Sequence, residues 1–244
     1  MSIFLAGAGP DPRAFPDVFD AFADDVRQWT GKGRTARIAV AVHHADGDPR
    51  DVAAAYAEPL QARMECGITL VPLAPGKPAA PAAFDGIDAV VVGGGLTPGY
   101  WEGLRPASGA FSKMVAAGVP YLGFSAGAMV APQQALIGGY RINGVEVCGE
   151  ECSEGLDPVD IRDGLGLAPF SVDVHAAQAG TLSRAVGAVA AGLTEWALAI
   201  DENTAVVLDR AGAQHYRVIG TGNCWDIRGS GGGGAVSVSI RSAG

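Results

Sequence analysis

Residues 120–131 read PYLGFSAGAMVA, and this stretch decides the fold of the chain. An apolar, strand-like run ends at Phe124, and helix-forming residues follow from Ala126. Between them, residues 123–127 match the G-x-S-x-G pattern of a sharp turn from a strand into a helix. Gly123, Ala126 and Gly127 are small, as such a turn requires because it brings the backbone close to itself. The stretch therefore predicts a parallel α/β fold that presents Ser125 as a nucleophile.

Short apolar segments alternate with helix-like segments along the first half of the chain. The predicted strands are 3–6, 37–42, 68–73, 89–92 and 120–124, and the predicted helices are 16–29, 52–64 and 111–117. The strands are apolar throughout, as expected for strands that are buried on both faces. Strands separated by helices imply right-handed crossovers and a parallel sheet, with ligands at the carboxyl ends of the strands.

The second half of the chain has a less regular pattern. Residues 135–164 are typical of loops and hairpins, and a strand at 171–175 and a helix at 182–191 follow. Two further strands, 197–201 and 205–208, are expected as a pair, with later strands at 214–220 and 235–241. We expect one α/β domain over residues 1–244, in which the strands of residues 195–244 form an appended part.

Composition limits the function classes that remain. The chain has 244 residues, 48% of them hydrophobic, and a formal net charge of −9 at pH 7. An acidic surface repels phosphate backbones, so nucleic acid is not an expected partner. No apolar run is long enough to span a membrane and the N-terminus lacks the features of a signal peptide, so we expect a cytoplasmic protein. Four scattered cysteines do not make a disulfide framework.

A serine nucleophile needs a base and an acid, and the chain offers four histidines. His175 ends a predicted strand, which would bring its side chain to the same sheet edge as Ser125, so it is the favoured base. The carboxylate that orients the imidazole is expected in the acidic segment 146–154, where the sequence alone does not select one residue. The glycine run 93–95 ends a predicted strand, and the amide of Gly94 or Gly95 would join that of Ala126 in stabilising an oxyanion.

These motifs together resemble one known family. The glycine run, the segment 123–128, the later segments 164–167 and 173–175, and the acidic strand-turn 199–205 are similar in kind and order to the dipeptidase E and cyanophycinase family of serine peptidases. The resemblance implies a class I glutamine amidotransferase-like (flavodoxin-like) fold, a three-layer α/β sandwich with a mostly parallel central sheet and extra C-terminal strands. It also implies a Ser-His-acid triad of Ser125, His175 and Glu151, with Glu150 as the alternative acid, and requires no cofactor or metal.

The sequence departs from this family just after the base. Alanines follow His175 where an aromatic residue is usual, and Arg184 stands in place of a cluster of arginines. The resemblance implies that such basic and polar residues bind aspartyl groups of the substrate, so Gln178 and Arg184 are the candidates for substrate binding. The expected function is the cleavage of a peptide or isopeptide bond in a small substrate, and the resemblance implies an aspartyl-dipeptidase or cyanophycinase-like activity as one form of it. A homodimer is the assembly considered. The alternatives are a related α/β esterase, with His215 as the base, and a non-catalytic small-molecule-binding protein.

Overall fold

The computed structural model describes residues 2–44, 46–209, 215–231 and 234–244. Its strands are β1 (Ile3–Ala6), β2 (Ala36–His43), β3 (Cys66–Leu73), β4 (Ala89–Val92), β5 (Tyr121–Phe124), β6 (Gln134–Gly138), β7 (Arg141–Ile142), β8 (Val145–Glu146), β9 (Asp160–Asp163), β10 (Ser171–Val174), β11 (Trp196–Ile200), β12 (Thr204–Leu208), β13 (Tyr216–Gly220), β14 (Asn223–Gly229) and β15 (Val236–Ser242). Its helices are α1 (Pro16–Thr30), α2 (Pro49–Gln61), α3 (Thr97–Leu104), α4 (Ser108–Ala117), α5 (Ala126–Val130) and α6 (Leu182–Ala190). Short 3₁₀ turns cover Pro81–Phe84, Arg105–Ala107 and Glu150–Cys152.

A seven-stranded sheet in the order β13-β12-β1-β5-β4-β2-β3 forms the centre of the molecule. Five adjacent strands of this sheet run parallel, namely β1, β5, β4, β2 and β3. Strand β12 is antiparallel to both of its neighbours, β1 and β13. The strands are buried because helices cover both faces of the sheet. Helices α1 and α2 pack on one face, and α3, α4 and α5 pack on the other. The expected α/β sandwich with a mostly parallel sheet is confirmed.

A smaller, four-stranded sheet in the order β10-β11-β14-β15 carries α6 on one face. Strands β10 and β11 run parallel and pair Val174 with Ile200, so the residues that follow both strands leave at the same edge. A hydrogen bond from the His175 amide to the carbonyl of Gly7, which follows β1, connects this edge to the large sheet (3.0 Å). The C-terminal half of the chain therefore contributes to the same edge as the central strands.

The C-terminal strands are divided between the two sheets, which differs from the expected arrangement. Strands β11 and β12 follow each other directly but do not pair, since β12 lies beside β1 in the large sheet. Residues 195–244 thus contribute strands to both sheets. The strand expected at 214–220 begins at Tyr216, and Gln214 lies outside the described residues. Among the described residues, no helix has the length and apolar character needed to cross a membrane.

Candidate active site

The turn that follows β5 holds Ser125 in a backbone conformation that non-glycine residues rarely adopt. Ser125 has φ 48° and ψ −109°, and its amide donates a hydrogen bond to the carbonyl of Ala6 at the end of β1 (2.9 Å). A positive φ at a residue other than glycine is a strain that the surrounding structure must hold in place, and it is concentrated at functional sites. The expected strand-turn-helix geometry is present, with α5 beginning at Ala126.

Gly127 allows this turn to form against the neighbouring strand. Its amide donates a hydrogen bond to the carbonyl of Gly93 (3.0 Å), so the backbone after β4 and the backbone of α5 are in contact. A Cβ at position 127 would lie 2.9 Å from the carbonyl carbon of Val92 and 3.0 Å from the carbonyl oxygen of Gly93. Because both neighbours are backbone atoms in a buried strand and its turn, they have little freedom to move.

We expect Gly127→Ala to destabilise the fold by about 2–3 kcal/mol or more, as overpacking of a rigid site does. Urea unfolding measures this loss. The control is Gly109→Ala on α4, because a Cβ at this exposed position meets no atom within 4 Å and alanine is the better helix former. A Gly127→Ala protein as stable as Gly109→Ala would contradict the close backbone approach.

His175 follows β10, and its imidazole reaches the nucleophile. The distance from Ser125 Oγ to His175 Nε2 is 3.1 Å, which is within hydrogen-bond reach. His175 also has a positive φ of 56°, so the chain turns sharply where it leaves the strand. The structure thus brings together the serine and the histidine that the sequence analysis selected.

Glu202 is the carboxylate that contacts the imidazole. Its Oε1 lies 2.7 Å from His175 Nδ1. Glu202 follows β11, and the parallel pairing of β10 with β11 brings the two residues to the same edge. Glu151 and Glu150 do not occupy this position, because both are exposed on a 3₁₀ turn, and the carboxylate of Glu151 folds back over Gly149. The carboxylate in contact with His175 is therefore that of Glu202, and not that of Glu151 or Glu150 as expected.

The buried Asp201 fixes the turn that carries Glu202. Asp201 is 2% exposed. Its carboxylate accepts hydrogen bonds from the Trp225 indole (3.1 Å), from the Ala177 amide (3.1 Å) and from the amide and side chain of Asn223 (3.0 and 3.1 Å). The Glu202 amide donates to Gln178 Oε1 (2.9 Å). Gln178, expected to bind substrate, therefore stands next to the site and uses its side-chain oxygen to hold the Glu202 backbone.

The amides expected to stabilise an oxyanion differ in their availability. The Gly94 amide donates a hydrogen bond to Tyr56 Oη (2.8 Å), so it is already engaged. The amides of Gly95 and Ala126 have no hydrogen-bond acceptor among the residues that the structure describes. A Cβ on Gly94 would lie 3.0 Å from Ser125 Cβ, which shows how closely the glycine run approaches the nucleophile.

Arg184 does not face the site, which corrects its expected role in substrate binding. Its side chain is 2% exposed and forms a bidentate ion pair with the fully buried Asp173 (2.8 and 2.7 Å). A further hydrogen bond goes to the carbonyl of Gly139 (3.1 Å). Arg184 thus neutralises a carboxylate inside the protein and connects α6 and β10 to the segment that follows β6.

We expect Arg184→Met to lower the free energy of unfolding by about 3–5 kcal/mol, because it leaves the Asp173 carboxylate buried and unpaired. Denaturant unfolding measures this loss, and the KM of the protein that remains folded should not change. The control is Arg50→Met, which removes the ion pair of Arg50 with Asp48, whose side chains are 82% and 48% exposed. This control should change the free energy of unfolding by less than about 1 kcal/mol. A stable Arg184→Met protein with a raised KM would contradict this structural role and indicate that Arg184 binds the substrate.

The fold and the site geometry define a serine hydrolase of the α/β class, and comparison with known proteins narrows this class. The model of peptidase family S51 matches residues 16–215, which is most of the chain. The chain therefore belongs to peptidase family S51, the dipeptidase E family, and is a serine-type peptidase. No curated protein matches the chain.

Solved structures of peptidases share the fold. A peptidase from an acI-B1 Actinobacterium is 16% identical with a TM-score of 0.65, and the match covers 100% of this chain and 94% of the other. A protein provisionally named peptidase E from Listeria monocytogenes EGD-e is 15% identical with a TM-score of 0.52, and the match covers 100% and 98% of the two chains. At such low identities these similarities show the fold alone.

Proposed function

We propose that the chain hydrolyses a peptide or isopeptide bond of a small substrate through a triad of Ser125, His175 and Glu202. The observation that carries this proposal is the continuous hydrogen-bonded chain from Ser125 Oγ through the imidazole to Glu202 Oε1. The G-x-S-x-G turn and the strand that ends at His175 support Ser125 as the nucleophile and His175 as the base, and the contact of Glu202 with the imidazole supports Glu202 as the acid.

The roles follow from the two ring nitrogens of His175. The Glu202 carboxylate accepts a hydrogen bond, so Nδ1 carries the proton of the neutral imidazole and Nε2 is left as the acceptor for the Ser125 hydroxyl. Ser125 Oγ attacks the carbonyl carbon of the substrate while its proton moves to Nε2. The imidazolium passes this proton to the leaving amine, and water then hydrolyses the acyl-enzyme by the same route in reverse.

The amides of Gly95 and Ala126 are the proposed donors to the tetrahedral oxyanion. Ala126 directly follows Ser125, and Gly95 directly follows Gly94, whose Cβ position would lie 3.0 Å from Ser125 Cβ. Within the described part of the chain, neither amide donates to another group. Fixed donors of this kind stabilise the transition state because they need no reorganisation when the charge develops.

The substrate proposed is a short peptide or an isopeptide. Arg184, the expected reader of an acidic side chain, is fully engaged by Asp173. The arginine cluster of the family is absent from the segment after His175. We therefore expect α-dipeptides without an acidic residue to be cleaved at least as well as aspartyl dipeptides.

The proposal is tested by a fluorophosphonate probe together with a panel of α-dipeptides, β-aspartyl dipeptides and lysine isopeptides. The wild-type protein should react with the probe at Ser125 and cleave members of the panel. Ser125→Ala should do neither, and the matched control Ser239→Ala, at an exposed position on β15, should do both. A folded wild-type protein that neither reacts with the probe nor cleaves any member of the panel would refute the proposal.

A further inference from the structure

Two tyrosines from opposite faces of the large sheet meet at the glycine run beside the nucleophile. Tyr56 belongs to α2 and to the core on one face, whereas Tyr100 belongs to α3 and to the core on the other face. The Gly94 amide donates to Tyr56 Oη (2.8 Å), and Tyr100 Oη donates to the Gly94 carbonyl (3.1 Å). Both polar backbone atoms of one residue are therefore held by side chains.

These contacts leave little freedom for the glycine run to move. Tyr56 and Tyr100 are 4% and 0% exposed. A Cβ on Gly93 would lie 2.7 Å from Tyr100 Oη and 2.9 Å from Tyr56 Cζ, so both rings are packed against this backbone. Burial raises the pKa of both phenols, which keeps the two hydroxyl groups protonated in the neutral range.

The hydrogen bonds of Gly94 with Tyr56 and Tyr100, here called the tyrosine clamp, also set the direction of the next amide. In a trans peptide the C=O of Gly94 and the N–H of Gly95 point in opposite directions, because the group is planar. With the carbonyl held on Tyr100, the Gly95 N–H must point away from Tyr100. The Gly94 α-carbon is turned towards Ser125, as the Cβ position 3.0 Å from Ser125 Cβ shows. The Gly95 amide has no acceptor in the described structure, and it directly follows the Gly94 α-carbon that faces Ser125.

We propose that Tyr100 and Tyr56 are positioning residues, which hold the Gly94–Gly95 peptide so that the Gly95 amide serves the oxyanion. Neither tyrosine touches the substrate in this scheme. Tyr100 sets the orientation of the peptide, and Tyr56 prevents the Gly94 amide from competing for the same oxygen. Gly95 has a φ of 141°, a conformation that side chains rarely adopt, so a glycine is needed at the donor position. This inference rests on the proposed serine-peptidase mechanism.

The test compares Tyr100→Phe and Tyr56→Phe with wild type on any substrate that the panel identifies. Removing a donor to the oxyanion outright lowers kcat by about 10²–10³-fold, so a donor that is present but poorly aimed should lower it by about 10-fold or more. KM should change less than 2-fold, because the ground-state carbonyl depends less on this donor. Affinity for a peptide boronate, whose adduct with Ser125 is tetrahedral, should fall by the same factor as kcat.

The matched control is Tyr216→Phe, which removes a buried hydroxyl that donates to Asp226 (2.9 Å). It should lower stability as much as Tyr100→Phe does and leave kcat unchanged. A kcat within 2-fold of wild type for Tyr100→Phe, or equal losses in Tyr100→Phe and Tyr216→Phe, would overturn the tyrosine clamp while the peptidase mechanism stands. A wild-type protein without activity and without probe reaction would overturn the mechanism and the tyrosine clamp together.

Discussion

The His175→Ala variant is expected to have a kcat about 10⁶-fold below that of the wild-type enzyme. Removing the base leaves Ser125 with no group to take its proton, and in a working triad the loss of the base costs about as much as the loss of the nucleophile. Reaction with a fluorophosphonate should become correspondingly slow. Since the His175 side chain is 31% exposed, its replacement should have little effect on the free energy of unfolding.

His215→Ala is the matched control, because His215 is the base that an α/β esterase would use. Residue 215 directly precedes Tyr216. Tyr216 pairs with Leu208 of β12, and Leu208 in turn pairs with Ile3 at the amino end of β1. Ser125 instead comes directly after Phe124, which pairs with Ala6 at the carboxyl end of β1. About five residues of strand, roughly 16 Å, separate the two levels. Wild-type kinetics are expected for His215→Ala, and probe reaction lost there but kept in His175→Ala would favour the esterase.

Most of the large sheet could be predicted because its strands carry a local signal. Residues 3–6 and 89–92 are apolar throughout and end in glycine or turn residues, and the structure gives them the predicted bounds. Helix α3 was not predicted, since its eight residues include a proline and glycines that weaken the helical pattern. Strand β14 was not predicted either, because its apolar residues are interrupted by charged ones.

The pairing of distant strands was the main feature that local patterns could not supply. Strands β11 and β12 are close in sequence, and a hairpin was expected. The turn at Asp201 instead sends β12 to pair with β1, about two hundred positions earlier in the chain. No local preference selects between these two partners, because the choice depends on which apolar faces remain uncovered in the whole molecule.

The site was predictable where a functional residue directly follows an apolar strand. Ser125 and His175 both do so, and the structure brings them into hydrogen-bond contact. Glu202 gave a similar signal, since it comes two residues after the buried strand β11. The acidic segment 146–154 offered several carboxylates between Ser125 and His175 in sequence, and sequence order does not show which carboxylate reaches the imidazole. The burial of Arg184 had one indication in the sequence, namely an aspartate at position 173 inside an otherwise apolar strand that needed a cation.

The Glu202→Gln variant is expected to lower kcat by about 10³–10⁴-fold with little change in KM. A glutamine can turn its amide N–H₂ towards Nδ1, which favours the imidazole tautomer with the proton on Nε2, and that tautomer cannot accept the serine proton. The imidazolium formed during the reaction also loses its carboxylate, and the whole change from acid to amide costs about 10⁴-fold where the acid is buried. Because the Glu202 side chain is 41% exposed, solvent screens part of this stabilisation.

Glu151→Gln and Glu150→Gln are the matched controls, because they make the same change at the two acids that the sequence favoured. Both residues lie exposed on the 3₁₀ turn, and neither is hydrogen-bonded to the imidazole in the structure, so steady-state kinetics should remain those of the wild type. Unfolding curves of all three variants should coincide, so that a loss in kcat reports on the triad and not on folding. A large loss of kcat in Glu151→Gln together with an active Glu202→Gln would contradict this assignment and indicate that the acidic segment contacts His175 when substrate binds.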